Sequence, residues 1–280
     1  MNNTIVRSIS GLGFIAIMLA GLLIDKFLFA ALVIFMMSVM MHEFYTITMH
    51  GSYRFSRLLA ILSGITLFTL LFLVCAYDIE AKYVSIAILP LLIVMINSLY
   101  VKDKTGFGKF SDIYTGILYI AVPLSLSNLL VFSNCNFNGL LLLYFFIIIW
   151  SSDIGGFVFG CSLGKRYNRK LFEAISPKKT WIGFWGGMIC AVLSSIAVKE
   201  ILNLPFPMVH AIILAIVMDV AGVYGDLFES QWKRYYEVKD SGSIIPGHGG
   251  MLDRFDSSLF AIPAGSLYLI LMNLLGKVIG

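Results

Sequence analysis

Charge is what this chain has least of. Asp, Glu, Lys and Arg make up 13% of its 280 residues, against 59% hydrophobic. A soluble domain of that size cannot hide so much apolar side chain, because much of its surface must face water. The shortage excludes a water-soluble globular fold and makes lipid the solvent for most of the chain. Cysteine is scarce as well. Cys75, Cys135, Cys161 and Cys190 are scattered, with no CxxC pair and no zinc spacing, so they read as small packing residues. There is no Walker A sequence, and no glycine fingerprint follows a strand, which excludes P-loop and Rossmann nucleotide sites. Internal repeats with matching broken helices are missing, which argues against a transporter.

What the chain does have is long, uninterrupted apolar runs, unlike the alternating ten-residue segments of a membrane barrel. A helix needs about 20 apolar residues to cross the bilayer core, and it satisfies every backbone group within the segment. Nine such segments are expected, over 8–24, 27–41, 58–76, 83–100, 113–132, 139–160, 181–198, 206–224 and 258–278. The fold class is thus an all-α, polytopic integral membrane protein with about nine transmembrane helices. Residues 1–24 also resemble a signal peptide flanked by Arg7, but no small-x-small cleavage site follows Ile24, so a retained helix is expected.

Basic residues give the orientation. Sixteen of the 20 Lys and Arg fall at the N-terminus or in loops following even-numbered segments; Lys26, Lys82, Lys199 and Lys277 fall on the other side. The positive-inside rule places the N-terminus in the cytoplasm. The net charge of +4 is then a topology signal and does not imply nucleic acid.

Residues 1–140 read as membrane helices with little chemistry. The stretch HEFYTITMHGSYRFSR, with His42, Glu43 and His50, has nothing nearby to complete a ligand set and reads as an aromatic-rich interfacial loop. VKDKTGFGKFSD reads as a solvated loop. Residues 141–280 differ, with cytoplasmic loops at 161–180 and 225–257. Polar groups enter the apolar segments, where an ionisable residue costs at least about 2.5 kcal/mol and marks a site. Asp153 sits in WSSDIGGFVFG. Asp219 and Asp226 lie two helical turns apart, on a stripe with Gly222, Ser230 and Lys233. Before the seventh segment, SPKKT offers Ser176 and Thr180 hydroxyls beside Lys178 and Lys179, a mixture suited to an anion at a helix start.

The densest stretch is KDSGSIIPGHGGMLDRFDS, at 239–257. With its lead-in it interleaves Asp226, Asp240, Asp253 and Asp256 with Lys233, Arg234, Lys239 and Arg254. Asp253 and Asp256 would share one face of a helical turn. Carboxylates with glycines suit Mg²⁺, which takes one or two carboxylates plus phosphate oxygens, and the cations suit the remaining phosphate charge. Together they describe phosphoryl or nucleotidyl transfer at a membrane surface, where a soluble nucleotide meets a lipid head group.

At these residues the chain strongly resembles the phosphatidate cytidylyltransferase (CDP-diacylglycerol synthase) family. The signature positions are Ser230, Lys233, Arg234, Lys239, Asp240, Pro246, Gly247, His248, Gly249, Gly250, Asp253, Arg254 and Asp256, with Asp153, SPKKT and Gly225-Asp226 upstream. The resemblance covers roughly residues 150–257. Ile182 stands where the family often has an acidic residue, and Trp232 replaces a smaller apolar one. The resemblance implies that CTP and phosphatidate give CDP-diacylglycerol and pyrophosphate, with Mg²⁺, a second cation and a homodimer. It implies an inner-membrane enzyme of phospholipid biosynthesis whose site faces the cytoplasm. On it, Asp226, Asp253, Asp256 and Asp240 are metal ligands, and Asp226, Asp253, Lys233 and Lys239 form the catalytic set. Ser176, Lys178, Lys179, Thr180, Ser230, Arg234, His248, Gly249, Gly250, Arg254 and Asp153 contact substrate.

Overall fold

The computed structural model describes residues 3–50, 53–100, 108–164, 169–247 and 249–275, with side chains from residue 9 onward. The protein is an all-α membrane protein. Among the described residues the helices are α1 (Asn3–Leu23), α2 (Lys26–Met49), α3 (Arg54–Tyr77), α4 (Ala81–Ser98), α5 (Phe110–Val131), α6 (Leu140–Leu163), α7 (Trp181–Ile201), α8 (Met208–Tyr235) and α9 (Leu252–Leu271). Each expected apolar segment has a helix. Seven of them, α2 to α8, are long and apolar enough among the described residues to cross a membrane. Two antiparallel hairpins interrupt the helices: β1 (Phe132–Ser133) with β2 (Asn136–Phe137), and β3 (Lys170–Phe172) with β4 (Ser176–Thr180).

The chain divides into two compact units, Met1–Phe137 with Tyr236–Arg254, and Asn138–Tyr235 with Phe255–Gly280. The expected halves, 1–140 and 141–280, do not anticipate that 236–254 groups with the first unit.

In the first unit, α2 opens on Asp25, whose carboxylate accepts the Phe27 N–H at 2.7 Å, and closes on His50 in the left-handed region. It therefore continues past residue 41, so His42 and Glu43 are helical and do not lie in a loop. Its Met36, Met37, Met40 and Met41 are buried, and the thioethers of Met37 and Met41 lie close to Gly64 of α3. Flexible Met side chains fill such irregular gaps well. The Tyr45 hydroxyl donates to the Ile113 carbonyl at 2.9 Å, tying α2 to α5. A π-helical turn, Ile117–Ala121, precedes Pro123 in α5. Proline has no N–H to give the preceding turn, and such a bulge is one way a helix absorbs it.

In the second unit, α6 and α7 approach through glycines. A Cβ on Gly183 would stand 2.9 Å from the Gly156 carbonyl oxygen, and one on Gly187 would stand 2.9 Å from that of Ser152. Small residues let membrane helices meet backbone to backbone, where dispersion is the main attraction. Thr180 caps α7, its hydroxyl accepting the Gly183 N–H at 3.2 Å. Ser195 of α7 donates to the Ala211 carbonyl of α8 at 2.8 Å. Helix α8 runs on to Tyr235, so Asp226, Ser230 and Lys233 stand on one helix, as their spacing implied, and the loop expected at 225–257 begins only after Tyr235. SPKKT is a strand of a hairpin, where an irregular loop was expected.

Candidate functional site

Polar groups gather in each unit, and each gathering has its own geometry. In the second, Lys179 leaves the last residues of β4 and pairs with Asp226 of α8, Nζ to Oδ2 at 2.5 Å, both side chains about a quarter to a third exposed. One turn on, the Ser230 hydroxyl donates to Asp226 Oδ1 at 3.2 Å, as the i,i+4 spacing requires. Lys233 pairs with buried Glu229 at 3.0 Å, again i,i+4. Asp256, ahead of the apolar run of α9, completes the group. Burial, then the carboxylates of Asp226 and Asp153, push its carboxyl well above the ordinary range; the Ser257 N–H and Lys233 pull it back. Asp256 thus feels the charge of two other acids. Gly225 makes the approach possible: a Cβ there would stand 2.5 Å from the Asp256 carbonyl oxygen and 3.1 Å from Phe260 Cβ. Deeper along α8, buried Asp219 accepts the Ser152 hydroxyl from α6, and its Oδ2 has no partner.

In the first unit the centre is Asp253. Its Oδ2 accepts the N–H groups of Ser241 at 2.9 Å and Gly250 at 2.8 Å, with the Ser241 hydroxyl 3.0 Å away. Gly249 has φ +86, and a Cβ there would meet Asp253 Oδ2 at 2.8 Å. Only glycine suits that conformation and that space. Lys239 and Asp240 are exposed on this loop, and Arg254 is exposed in the first turn of α9. The structure also gives Glu43 a place here. Its carboxylate accepts the N–H groups of Met251 at 3.0 Å and Leu252 at 2.9 Å.

The expected site residues therefore divide. Lys179, Asp226, Ser230, Lys233, Asp256 and Asp153 belong to one group, while Lys178 is exposed and Ser176 half-buried on the same hairpin. Thr180 is a buried helix cap, and Arg234 is exposed at the end of α8. Asp253, Gly249 and Gly250 organise the other, with Lys239, Asp240 and Arg254 at its surface. His248 lies outside the described residues, as do Lys165, Arg166 and Lys277. Glu43, expected in an interfacial loop, is not among the expected site residues; its signal is an acid directly following an apolar run that continues as helix.

Among the described residues no three His, Cys, Asp or Glu side chains stand ready to hold a metal by themselves. The acids present still fit Mg²⁺, which keeps waters, takes few carboxylates and borrows phosphate oxygens. Asp226 and Asp256, hard oxygen donors whose charges oppose each other, offer such a partial set.

The profile of the cytidylyltransferase family matches residues 5–272. Phosphatidate cytidylyltransferase of Bacillus subtilis is 37% identical over 185 residues, 66% of this chain and 65% of that protein. The proteins of the same name from Staphylococcus epidermidis and Staphylococcus haemolyticus are 43% identical over 129 residues and 42% over 131, covering 46% and 47% of this chain and 48% and 49% of theirs. The chain thus spans about half to two thirds of the curated relatives it matches.

Proposed function

Because the chain belongs to the cytidylyltransferase family, we propose that it transfers a cytidylyl group from CTP to phosphatidate, giving CDP-diacylglycerol and pyrophosphate. The observation that carries this reading is the Lys179–Asp226 pair beside the mutually repelling Asp256 and Asp153. An acid cluster with a cation at its edge is what a Mg²⁺–triphosphate needs.

The nucleophile is the phosphate monoester of phosphatidate, already anionic at neutral pH, so no general base is required. Its oxygen forms a bond to the α-phosphorus of CTP, the bond to the β-phosphate oxygen breaks, and pyrophosphate carries away the electron pair. The obstacle is bringing two anions together, which fixed cations and positioning lower. Lys179, held at Asp226, brings positive charge to where phosphate charge collects. Asp226 and Asp256 would hold Mg²⁺, which supplies neutralisation of the phosphate oxygens when bound. Asp253 is first an organiser of its loop, since one of its oxygens is committed to backbone donors. Phosphate contacts for Lys239 and Arg254, and a further carboxylate from Asp240, rest on the family resemblance. The protein would work in a bacterial inner membrane with its site toward the cytoplasm, a placement supported by the basic loops and by the bacterial origin of the relatives. Pyrophosphate release by the detergent-purified protein tests the reading. Release should require CTP, phosphatidate and Mg²⁺ together; release without phosphatidate would contradict it.

A further inference from the structure

We infer that Glu43 is a positioning residue for Ser241 and for Met251–Asp253 at the start of α9, set from a helix in the half of the chain with no evident chemistry. The inference rests on the proposed reaction for its effect on turnover, but the contact itself is a matter of geometry. Glu43 is 7% exposed, on a helix otherwise lined with Met and aromatic residues. A carboxylate buried there needs donors, and it finds them on one loop. Oε1 accepts the Met251 N–H at 3.0 Å, and Oε2 accepts the Leu252 N–H at 2.9 Å. These are amides at the start of α9, where a helix has N–H groups without intrahelical partners and favours negative charge. Local N-caps normally supply that oxygen from the preceding residue; here it arrives from 208 and 209 positions away in the chain.

The same carboxylate reaches the next layer. The Ser241 hydroxyl lies 3.3 Å from Glu43 Oε2 and 3.0 Å from Asp253 Oδ2, and it accepts the Asp253 N–H at 3.3 Å. One hydroxyl proton is thus shared between two acids, one on α2 and one in the family signature. This carboxylate explains one glycine near the signature, and with the Ser241 hydroxyl a second. A Cβ on Gly242 would overlap Glu43 Oε1 and stand 2.8 Å from its Cδ, and a Cβ on Gly250 would stand 2.7 Å from Oε2. The loop has glycine where Glu43 enters it. Fixing Asp253, and with it the exposed Lys239 and Arg254, is then a task of Glu43.

Glutamine cannot substitute. Its amide NH₂ would face a backbone N–H, donor against donor, while aspartate keeps both acceptor oxygens and the charge. The test uses the full-length protein in detergent, as wild type, Glu43→Gln, Glu43→Asp and Gly242→Ala. KM for CTP and kcat are measured, and amide hydrogen exchange at Met251 and Leu252 is followed without substrate. Glu43→Gln should raise KM for CTP about tenfold, with Glu43→Asp, which keeps the charge on a stem one methylene shorter, in between. Exchange at both amides should quicken in Glu43→Gln and Gly242→Ala. A merely structural role would lower the active fraction, so apparent kcat would fall at unchanged KM, and that result overturns the inference. Unchanged exchange at Met251 and Leu252 overturns it too. Should Glu43→Gln not fold, Gly242→Ala carries the same outcomes. Because exchange is read without CTP, a chain inactive on CTP and phosphatidate overturns the reaction reading, while exchange alone still decides the Glu43 contact.

Discussion

Replacing Asp226 with Asn separates two roles that one side chain could have. Lys179 Nζ lies 2.5 Å from Asp226 Oδ2, with the two side chains 26% and 30% exposed. A charge-assisted hydrogen bond in such a half-buried place is worth about 2 kcal/mol net. If pairing with Lys179 were all that Asp226 did, losing it would slow turnover about 30-fold. Lys179→Met would then cost the same, and the double variant no more, because both changes remove one interaction. On the proposed mechanism Asp226 also neutralises charge at the reacting phosphates. Removing such electrostatic stabilisation costs a further factor of about 10²–10³. Asp226→Asn should therefore fall at least about 10³-fold, with the protein still folded and inserted. The assay is steady-state formation of CDP-lipid from CTP and phosphatidate at saturating Mg²⁺, for both single variants and the double. Equal losses in the two single variants, near 30-fold, would refute the assignment of Asp226 to the metal.

Other outcomes follow from local geometry. Gly225→Ala should lower the thermal midpoint in detergent, by overpacking worth about 1–3 kcal/mol, because its Cβ would press on the Asp256 carbonyl. Gly222→Ala is its control: its Cβ meets neighbours only at 3.5 Å and beyond, so it should be neutral or stabilising by up to about 1 kcal/mol. Gly249→Val should destabilise the protein without CTP by about 1–2 kcal/mol, since φ +86 strains any side chain there; an unchanged apo melting temperature with lost CTP-induced stabilisation would instead favour a direct phosphate cradle. Cysteines placed at Lys26, Lys82 and Lys199 should react with an impermeant maleimide from outside intact cells; reaction only after lysis would reverse the orientation.

The helices were legible because apolar runs of membrane length carry their own signal. Their ends were not. The runs over 27–41 and 206–224 stop where polar residues begin, yet α2 reaches Met49 and α8 reaches Tyr235. Their polar residues face partners: Glu43 meets backbone amides, and Asp226 meets Lys179. A helix continues wherever its polar side chains are satisfied, and hydropathy does not record that. Residue types at the site were legible from their density in 225–257, and Asp226 with Ser230 follows from helical spacing. Lys179 with Asp226, and Glu43 with Met251, did not follow, because nothing local links positions so far apart. The glycines of PGHGG showed that something approaches the backbone. They did not show that, in this structure, the approaching groups are Asp253 at Gly249 and Ser241 with Glu43 at Gly250.

The transfer itself is tested most directly by following two labels. The purified protein is given phosphatidate, Mg²⁺ and CTP labelled either at the α-phosphate or at the γ-phosphate, and the lipid is extracted. The α label should enter the lipid as CDP-diacylglycerol, with the γ label left in water as pyrophosphate. A γ label in the lipid, with CDP released, would mean a CTP-dependent lipid kinase and would contradict the proposed reaction.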